Sequence, residues 1–254
     1  VPALGSWEER GGPFHYLNMT RRDFVANASH ELRTPLTVIA GFLETLGDSP
    51  LTPTAHRRPI ELMVSQTRRM RSIVEDLLTL SRLEMGHQSE HTEPADVPAE
   101  IHAIVHEAEA LSEGRHGIDL DLDPDLLLVG NPVELRSAFS NLVFNAIQHT
   151  PPGSRVQLSW RKREGQPVFA VSDDGEGIAQ EHIPRLTERF YRVDTGRSRA
   201  SGGTGLGLAI VNHVLNRHDA QLIISSEPGR GSTFACRFPA RSAIVRPKPQ
   251  DQDG

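Results

Sequence analysis

The chain has 254 residues, of which 37% are hydrophobic and 24% are charged, and its formal net charge is −6. This is the composition of an ordinary globular protein, and the negative charge argues against a nucleic-acid partner, because phosphate backbones bind to basic surfaces. The single cysteine, Cys236, excludes an intrachain disulfide and a cysteine-rich zinc site, and it fits a reducing compartment.

The sequence contains no signal peptide and no run of about 18 apolar residues, the length that a membrane-spanning helix requires. It begins at Val1 rather than at a methionine, which fits a fragment of a longer protein. We therefore expect any membrane contact to depend on segments outside this chain.

Residues 1–16 are rich in glycine and proline, which predicts a linker or a truncated upstream segment. Residues 17–86 have a helical pattern instead, interrupted at Gly47–Pro50, and this pattern predicts a helical hairpin. Its two apolar stripes have three- and four-residue spacing and comprise Val25, Ala28, Leu32, Pro35, Ile39, Phe42 and Leu46, and then Ile60, Met63, Thr67, Met70, Val74, Leu77 and Ser81.

The apolar seam of this hairpin is longer than two helices can bury by themselves. A four-helix bundle formed with a second copy would cover it, so we expect a homodimer. Pro35 and Pro59 oppose continuous helices, since an interior proline costs roughly 3 kcal/mol, and Pro59 is therefore a second possible start of the second helix.

Residues 87–95 are polar, and we interpret them as a hinge. The pattern then changes to mixed α/β over 96–240, where Asp96 can cap a helix over 97–112. Strands are predicted at 117–122, 126–130, 156–160, 167–173, 221–226 and 232–238, and a further helix at 205–218. The tail over 241–254 is predicted to be disordered.

His30 is the first candidate for chemistry. It lies two residues from both Ala28 and Leu32, about 200° around the helix from each, so it points away from the apolar seam. This disfavours a core histidine, whereas a merely solvated histidine remains possible. Glu31 could accept the Nδ1 proton and leave Nε2 as a nucleophile, and Thr34 lies one turn on along the same exposed face.

Another helix is predicted to begin at Asn131 and Pro132 and to end near 149, with Glu134 placed to close a reciprocal capping box. It carries Asn141 and Asn145 one turn apart on one face. Amide oxygens are hard ligands that suit Mg²⁺ bridging a triphosphate. Two such amides can equally line a solvated face.

Asp173, Gly175 and Gly177 follow directly after an apolar strand. A carboxylate at a strand end can accept a hydrogen bond from the exocyclic amine of adenine, and the two glycines let the backbone approach the base. The alternative is an ordinary turn, in which Asp-Gly pairs are common.

A glycine-rich run precedes the predicted helix at 205–218, and its backbone N–H groups could bind phosphates. The run comprises Gly203, Thr204, Gly205, Leu206 and Gly207. It lacks the P-loop lysine and the dinucleotide-binding setting. Arg192, Arg197 and Arg199 precede it and could neutralise phosphate oxygens, or they could be solvated charges.

Taken together, these motifs resemble the five boxes of the sensor histidine kinases, over about residues 20–240. SHELRTPL is similar to the H box, NLVFNAIQHT to the N box, DDGEGI to the G1 box, LTERFYR to the F box and GGTGLGL to the G2 box. Two longer stretches, NLVFNAIQHTPPG and IPRLTERFYRVDTGRSRASGGTGLGLAIV, especially resemble the phosphate-regulon branch of the family.

The resemblance implies a fold and an activity. The fold is a helical-hairpin dimerisation domain followed by a two-layer α/β sandwich, as in the gyrase, Hsp90 and MutL ATPases. The activity is ATP-dependent autophosphorylation of His30 with help from Glu31, and then transfer to an aspartate of a response regulator. Mg²⁺ would bind at Asn145 and adenine at Asp173, and Glu31 and Thr34 match an E-x-x-T pattern for dephosphorylating the regulator.

Two features of the N box bear on these expectations. The related ATPases have a glutamate where this chain has Asn141, and an amide cannot act as a general base. Gln148 and His149 stand where many relatives have lysine and tyrosine, which weakens the expected phosphate contact unless His149 or the nearby arginines compensate.

The family also implies a setting, which is the cytoplasmic part of a bacterial sensor anchored in the inner membrane and, for this branch, a role in phosphate starvation. Two alternatives remain open at this point. One is a plain ATPase without a phosphohistidine, and the other is a non-catalytic dimeric signalling scaffold.

Overall fold

The computed structural model describes residues 13–48, 53–85, 92–193 and 203–246. The chain divides into two compact units, Val1–Val74 and Glu75–Gly254. No helix among the described residues combines the length and the apolar character that crossing a membrane requires.

Helices α1 (Pro13–Asp48) and α2 (Pro53–Met85) form the predicted hairpin. Both begin at a proline, whose fixed φ and missing N–H suit the first helical position. Helix α1 begins four residues before the predicted start of the hairpin at 17, so residues 13–16 are helical rather than a linker, and the rest of the predicted segment, 1–12, lies outside the described residues. The alternative start of the second helix is also wrong, because Pro59 lies inside α2.

Much apolar surface of the first unit remains uncovered. Pro35 is buried, and Leu32, Ile39 and Phe42 are partly buried, so the predicted seam of α1 does face protein. Large apolar side chains on both helices are nevertheless exposed, namely Val25, Leu36, Val38, Leu43, Ile60, Leu62, Val64 and Val74. A protein surface seldom leaves so many apolar side chains of two helices in water unless a partner covers them.

The second unit contains the last turns of α2 and a mixed α/β domain. Its helices are α3 (Val97–Ser112), α4 (Pro132–His149) and α5 (Gly207–Arg217), with short 3-10 turns at Ile183–Arg185 and Ala240–Ser242. Its strands are β1 (Glu93–Ala95), β2 (Gly117–Leu122), β3 (Leu126–Gly130), β4 (Arg155–Arg163), β5 (Gln166–Asp173), β6 (Gln221–Glu227), β7 (Gly231–Arg237) and β8 (Ala243–Val245).

The strands form two sheets. The larger sheet has the order β2-β4-β5-β7-β6, in which β2 and β4 are parallel and the other pairs are antiparallel. The smaller sheet has the order β1-β3-β8 and is antiparallel throughout. The predicted two-layer α/β sandwich is confirmed, since α4 and α5 pack together against one face of the larger sheet.

Four aromatic side chains form the centre of the core between the helices and the sheet. Phe139 of α4 lies 4.4 Å from Phe169 of β5, measured between ring centroids, and Phe238 makes edge contacts with Phe139 and Trp160. All four are at least nine-tenths buried. The Trp160 Nε1–H donates to the carbonyl of Leu126 on β3 at 2.8 Å, so this buried ring also joins the two sheets.

Three further expectations differ from the structure. Asn131 caps α4 through Val133 and Glu134 as predicted, but the Glu134 carboxylate accepts from Arg217 at 3.1 Å instead of closing a capping box. The Asn131 N–H donates to His218 Nε2 at 3.1 Å.

The predicted hinge and the predicted disordered tail both contribute strands. Residues 93–95 form β1 and residues 243–245 form β8, and each pairs with β3. Arg246 then donates its N–H to the Asp125 carbonyl and pairs with Asp96. Short edge strands of this kind follow from the position of β3 rather than from their own composition, which is why periodicity did not predict them.

The β6–β7 turn offers a matched test of close backbone packing. Gly229 and Gly231 both have positive φ, at 80° and 92°, but an added Cβ at 231 would overlap the Asp173 carbonyl, whereas one at 229 would meet nothing within 4 Å. We expect Gly229→Ala to cost about 1 kcal/mol for backbone strain and Gly231→Ala about 1–3 kcal/mol more. Urea unfolding of both variants measures this difference, and equal losses would contradict it.

Candidate nucleotide-binding and phosphoacceptor sites

Helix α4 presents its polar residues on the face opposite to its core contacts. The buried face consists of Leu135, Ala138, Phe139, Leu142, Val143, Ala146 and Ile147. Asn141, Asn145 and Gln148 lie between these positions and are partly exposed. The Asn141 Nδ2 donates to the Ser137 carbonyl at 2.8 Å, which leaves its oxygen directed outwards from the helix backbone.

The glycine-rich run passes directly over this face. A Cβ at Gly207 would lie 2.5 Å from Asn141 Oδ1, and one at Gly203 would lie 3.6 Å from His149 Nε2. The structure therefore brings together the N-box helix and the glycine run that the sequence predicted as two parts of one site. Only glycine fits at 207 without displacing the Asn141 amide.

Phe190 of the predicted F box holds the middle of the run. Its N–H donates to the Gly205 carbonyl at 2.8 Å. Both residues have positive φ, 63° at Phe190 and 73° at Gly205, and a Cβ at Gly205 would lie 2.9 Å from the Phe190 backbone. A bulky residue in this backbone region is unusual and indicates that its surroundings impose the conformation.

Thr204 supplies the polar side chain of the run, and this side chain is buried. It is 8% exposed, and its Oγ1 accepts the Leu206 N–H at 3.1 Å and donates to Asp76 Oδ2 at 2.7 Å. Burial raises the pKa of Asp76 to about 6, against the hydrogen bond from Thr204, which lowers it. Sequence reasoning missed Asp76, although it shares one face of α2 with the buried Leu80.

Asp173 ends β5 at the predicted adenine position. Its Oδ1 accepts the Gly175 N–H at 3.0 Å, and burial raises the pKa of its carboxyl group. A Cβ at Gly175 would lie 2.7 Å from Thr150 Cγ2, and Gly177 has a φ of 70° beside the Glu227 carbonyl. Close packing within the protein therefore requires both glycines, whereas their predicted role of letting the backbone approach the base stays a prediction.

Asp173 also lines a polar cavity of about 430 Å³, together with Gln180, Ser225, Ser226, Glu227, Arg230, Gly231, Ser232 and Thr233. The cavity lies between the G1 loop and the turn from β6 to β7. Its size suits a small polar ligand group, and most of its lining groups can form hydrogen bonds.

His149 and Arg192 face each other at the end of α4. The His149 residue is exposed overall, but the protein atoms around its ring exclude water and thereby lower its pKa. The positive charge of Arg192 lowers this pKa further. His149 is therefore a neutral ring near pH 7 and offers a hydrogen bond to a phosphate rather than a charge. Arg197 and Arg199 lie outside the described residues.

The residues that could hold a metal are amides rather than acids. The described part of the chain contains no group of three or more histidine, cysteine, aspartate or glutamate side chains that could hold a metal ion. Asn145 is the predicted Mg²⁺ ligand, and a single amide oxygen fits an ion that arrives with a nucleotide and keeps phosphate and water ligands.

The phosphoacceptor candidate lies in the first unit. His30 is exposed on α1, and Thr34 donates its hydroxyl to the His30 carbonyl at 3.3 Å. Glu31 accepts from Arg69 of α2 at 2.7 Å, and the Arg69 side chain is 11% exposed. The sequence did not predict Arg69, because a helical pattern does not show which polar side chains of two helices meet.

The Gly207–Asn141 contact generates a prediction about nucleotide binding. Gly207→Ala should displace the Asn141 amide and weaken binding of AMPPNP by about tenfold or more, which corresponds to about 1.4 kcal/mol. Gly203→Ala should weaken it less, because its Cβ would make an ordinary contact with His149. Calorimetric titration of both variants measures this, and equal losses would contradict the proposed role of the contact.

Two family models match this chain in order. Residues 20–86 match the His Kinase A (phospho-acceptor) domain, and residues 130–242 match the histidine kinase-, DNA gyrase B- and HSP90-like ATPase. Together the two matches cover more than two thirds of the chain. His30 lies in the first segment, and Asn141, Asp173 and the glycine run lie in the second.

Relatives and a solved structure agree with these matches. The chain is 51% identical over 238 residues to the phosphate regulon sensor protein PhoR of Pseudomonas aeruginosa, covering 92% of this chain and 54% of the relative. It is 39% identical to PhoR of Haemophilus influenzae, covering 91% and 54%. Full-length ShkA in complex with AMPPNP superposes with a TM-score of 0.61 at 26% identity, covering 85% of this chain and 45% of ShkA.

The chain thus spans about half the length of the curated relatives it matches. Its two matched segments occur in the order of the five boxes, and its fold agrees with both. The chain therefore belongs to the sensor histidine kinases.

Proposed function

We propose that this chain is the catalytic core of an ATP-dependent sensor histidine kinase that phosphorylates itself on His30 and passes the phosphoryl group to an aspartate of a response regulator. The convergence of Asn141, Asp173 and the glycine run in one α/β domain carries the proposal, together with the exposed His30 on α1. The closeness to PhoR favours phosphate-starvation signalling as the setting.

The α/β domain supplies the nucleotide site. Asp173 binds the exocyclic amine of adenine through its carboxylate, and the N–H groups at the start of α5 bind phosphate oxygens. Gln148, His149 and Arg192 add hydrogen bonds and charge on the opposite side. Bound Mg²⁺ would neutralise phosphate charge, with Asn145 as its protein ligand.

The transfer itself requires an in-line arrangement of His30 and the γ-phosphate. A bond forms between Nε2 and phosphorus as the bond from phosphorus to the ADP oxygen breaks, and the Nδ1 proton stays on the ring. Glu31 accepts the hydrogen bond of that proton and stabilises the positive ring. The ion pair with Arg69 restricts the orientation of the Glu31 carboxylate.

Asn141 is the residue that favours a kinase over a plain ATPase. It lies against Gly207, where the related ATPases have a water-activating glutamate. An amide has no basic lone pair to take a proton from water, so bound ATP survives until His30 attacks it. The presence of His30, Asn145, Asp173 and the glycine run likewise favours a kinase over a non-catalytic scaffold.

The proposed assembly is a homodimer through the hairpin. The exposed apolar side chains of α1 and α2 in the first unit form the contact, as a four-helix bundle requires. The response regulator docks against the same hairpin near His30. In the parent protein this core would lie in the cytoplasm, attached to an inner-membrane anchor outside the present chain.

The phosphoacceptor assignment can be tested directly. His30→Ala should abolish incorporation of acid-labile phosphate from radiolabelled ATP, because no other imidazole replaces the nucleophile, while AMPPNP binding stays unchanged. Asp173→Asn should instead weaken AMPPNP binding by an order of magnitude or more, because a neutral amide oxygen accepts the hydrogen bond of the adenine amine less well than a charged carboxylate does. Label that persists on histidine in His30→Ala would refute the assignment.

The proposed phosphatase role of Thr34 has a matched control on the same helix. Thr34 and Thr37 both donate their hydroxyls to the carbonyl one turn earlier, at 3.3 Å and 3.0 Å. Thr34→Val should slow dephosphorylation of the regulator by about tenfold or more, because the hydroxyl that orients water is lost. Thr37→Val should leave that rate within about twofold, and similar slowing in both variants would show a structural effect instead.

A further inference from the structure

The last turns of α2 are packed against the nucleotide-binding elements of the second unit. Asp76, Leu80, Leu83 and Glu84 share one face of the helix, since they are spaced by four, three and one residues. Leu80 is fully buried and Leu83 is 8% exposed. This face of the helix segment 75–85 is therefore covered by protein.

Polar contacts surround this apolar centre. Glu84 forms an ion pair with Arg189 and lies 3.8 Å from His213 Nε2. The Leu83 carbonyl, in the last turn of α2, accepts from Arg217 at 3.4 Å. Arg189 belongs to the predicted F box and Arg217 ends α5, so the docked segment contacts elements on both sides of the glycine run.

Asp76 makes the contact that reaches the run itself. Its Oδ2 accepts the Thr204 hydroxyl proton at 2.7 Å, and the same hydroxyl oxygen accepts the Leu206 N–H at 3.1 Å. A threonine hydroxyl has one proton to donate. While that proton is donated to Asp76, Thr204 cannot donate it to a phosphate oxygen.

The negative charge of Asp76 also opposes binding of a triphosphate at the glycine run. Its carboxylate is partly buried, and burial together with the neighbouring Glu75 raises its pKa, so the charged form is not strongly stabilised where it lies. A triphosphate bound at the glycine run would place further negative charge near this carboxylate, which disfavours both being present together.

From this geometry we infer that Asp76 is a positioning residue of the nucleotide site, and that docking of segment 75–85 and binding of the nucleotide triphosphate compete for the Thr204 hydroxyl. The inference rests on the proposed function. It goes beyond that function because it gives α2 a direct effect on nucleotide affinity. Since coupling is reciprocal, bound nucleotide must weaken the docking of the segment to the same degree.

A double-mutant cycle tests this competition. In the full chain, Asp76→Ala should tighten AMPPNP binding, measured by calorimetry with Mg²⁺, by about fivefold or more. Asp76→Asn should tighten it less, because the amide oxygen still accepts the hydroxyl. In a Thr204→Val background, Asp76→Ala should tighten binding less than it does in the otherwise unsubstituted chain, since the shared hydroxyl is already absent and only the charge of Asp76 is removed.

The control is Glu75→Gln, which removes the same charge from the neighbouring, exposed position. It should shift AMPPNP affinity by less than about twofold. Weaker or unchanged binding in Asp76→Ala, or an equal gain with and without the Thr204 hydroxyl, would overturn the competition. If the wild-type chain itself binds no AMPPNP, the proposed kinase function fails instead.

Hydrogen exchange of the unsubstituted chain gives a second measurement that does not depend on how a variant folds. Addition of AMPPNP should speed amide exchange in the helix segment 75–85, because its docking is released. Peptides of α3, which carry none of these contacts, serve as the internal reference. Slowed or unchanged exchange in the segment would overturn the inference.

Discussion

The packing of Phe139 on Phe169 is the contact on which the site depends. These rings lie 4.4 Å apart at the centre of the sandwich and fix the rotation of α4 over the larger sheet. Because side chains one turn apart share a face, burial of Phe139 and its neighbours leaves Asn141 and Asn145 on the opposite side of α4, where Asn141 meets the glycine run. The same contact packs α4 against β5, which ends at Asp173, the predicted adenine-binding residue. The site is thus a consequence of which face of one helix is apolar.

Most of this arrangement could be predicted from the sequence. Periodicity and local signals predict the helices and strands; for example, Asn131 caps α4 and Pro132 begins it. The box motifs then predict which of these elements meet, because their order is characteristic of one family. For these parts local pattern and overall fold agree.

The parts that sequence reasoning missed depend on distant partners. Glu134 has the spacing of a capping box, yet it pairs with Arg217, which is 83 residues away and offers a charge that a backbone N–H does not. The strands β1 and β8 are only three residues long, and they form because β3 offers backbone hydrogen-bonding groups on both of its sides. Asp76 and Arg69 lie in a helix whose pattern shows its apolar stripe but not the partners of its polar residues.

Glu31 and Asn141 are each held by a close neighbour, and we propose opposite roles for them in the reaction. Arg69 holds the carboxylate of Glu31, the residue next in sequence to the proposed phosphoacceptor His30, and a negative charge there would favour a ring that gains positive charge. Asn141 is equally well placed against Gly207 but carries no charge and no base. In the proposed mechanism, the first position promotes the reaction of His30 and the second keeps water from reacting first.

The antiparallel pairing of β8 with β3 has a consequence for truncation of the protein. The family match ends at residue 242, so a fragment trimmed to it would lack Ala243–Val245 and leave one side of β3 without hydrogen bonds. That edge consists of the backbone groups of Leu126–Leu128, while the side chains of Leu126 and Leu128 are buried in the core. An edge with unpaired backbone groups is a template for strands of other molecules, and β8 covers this edge in the intact chain.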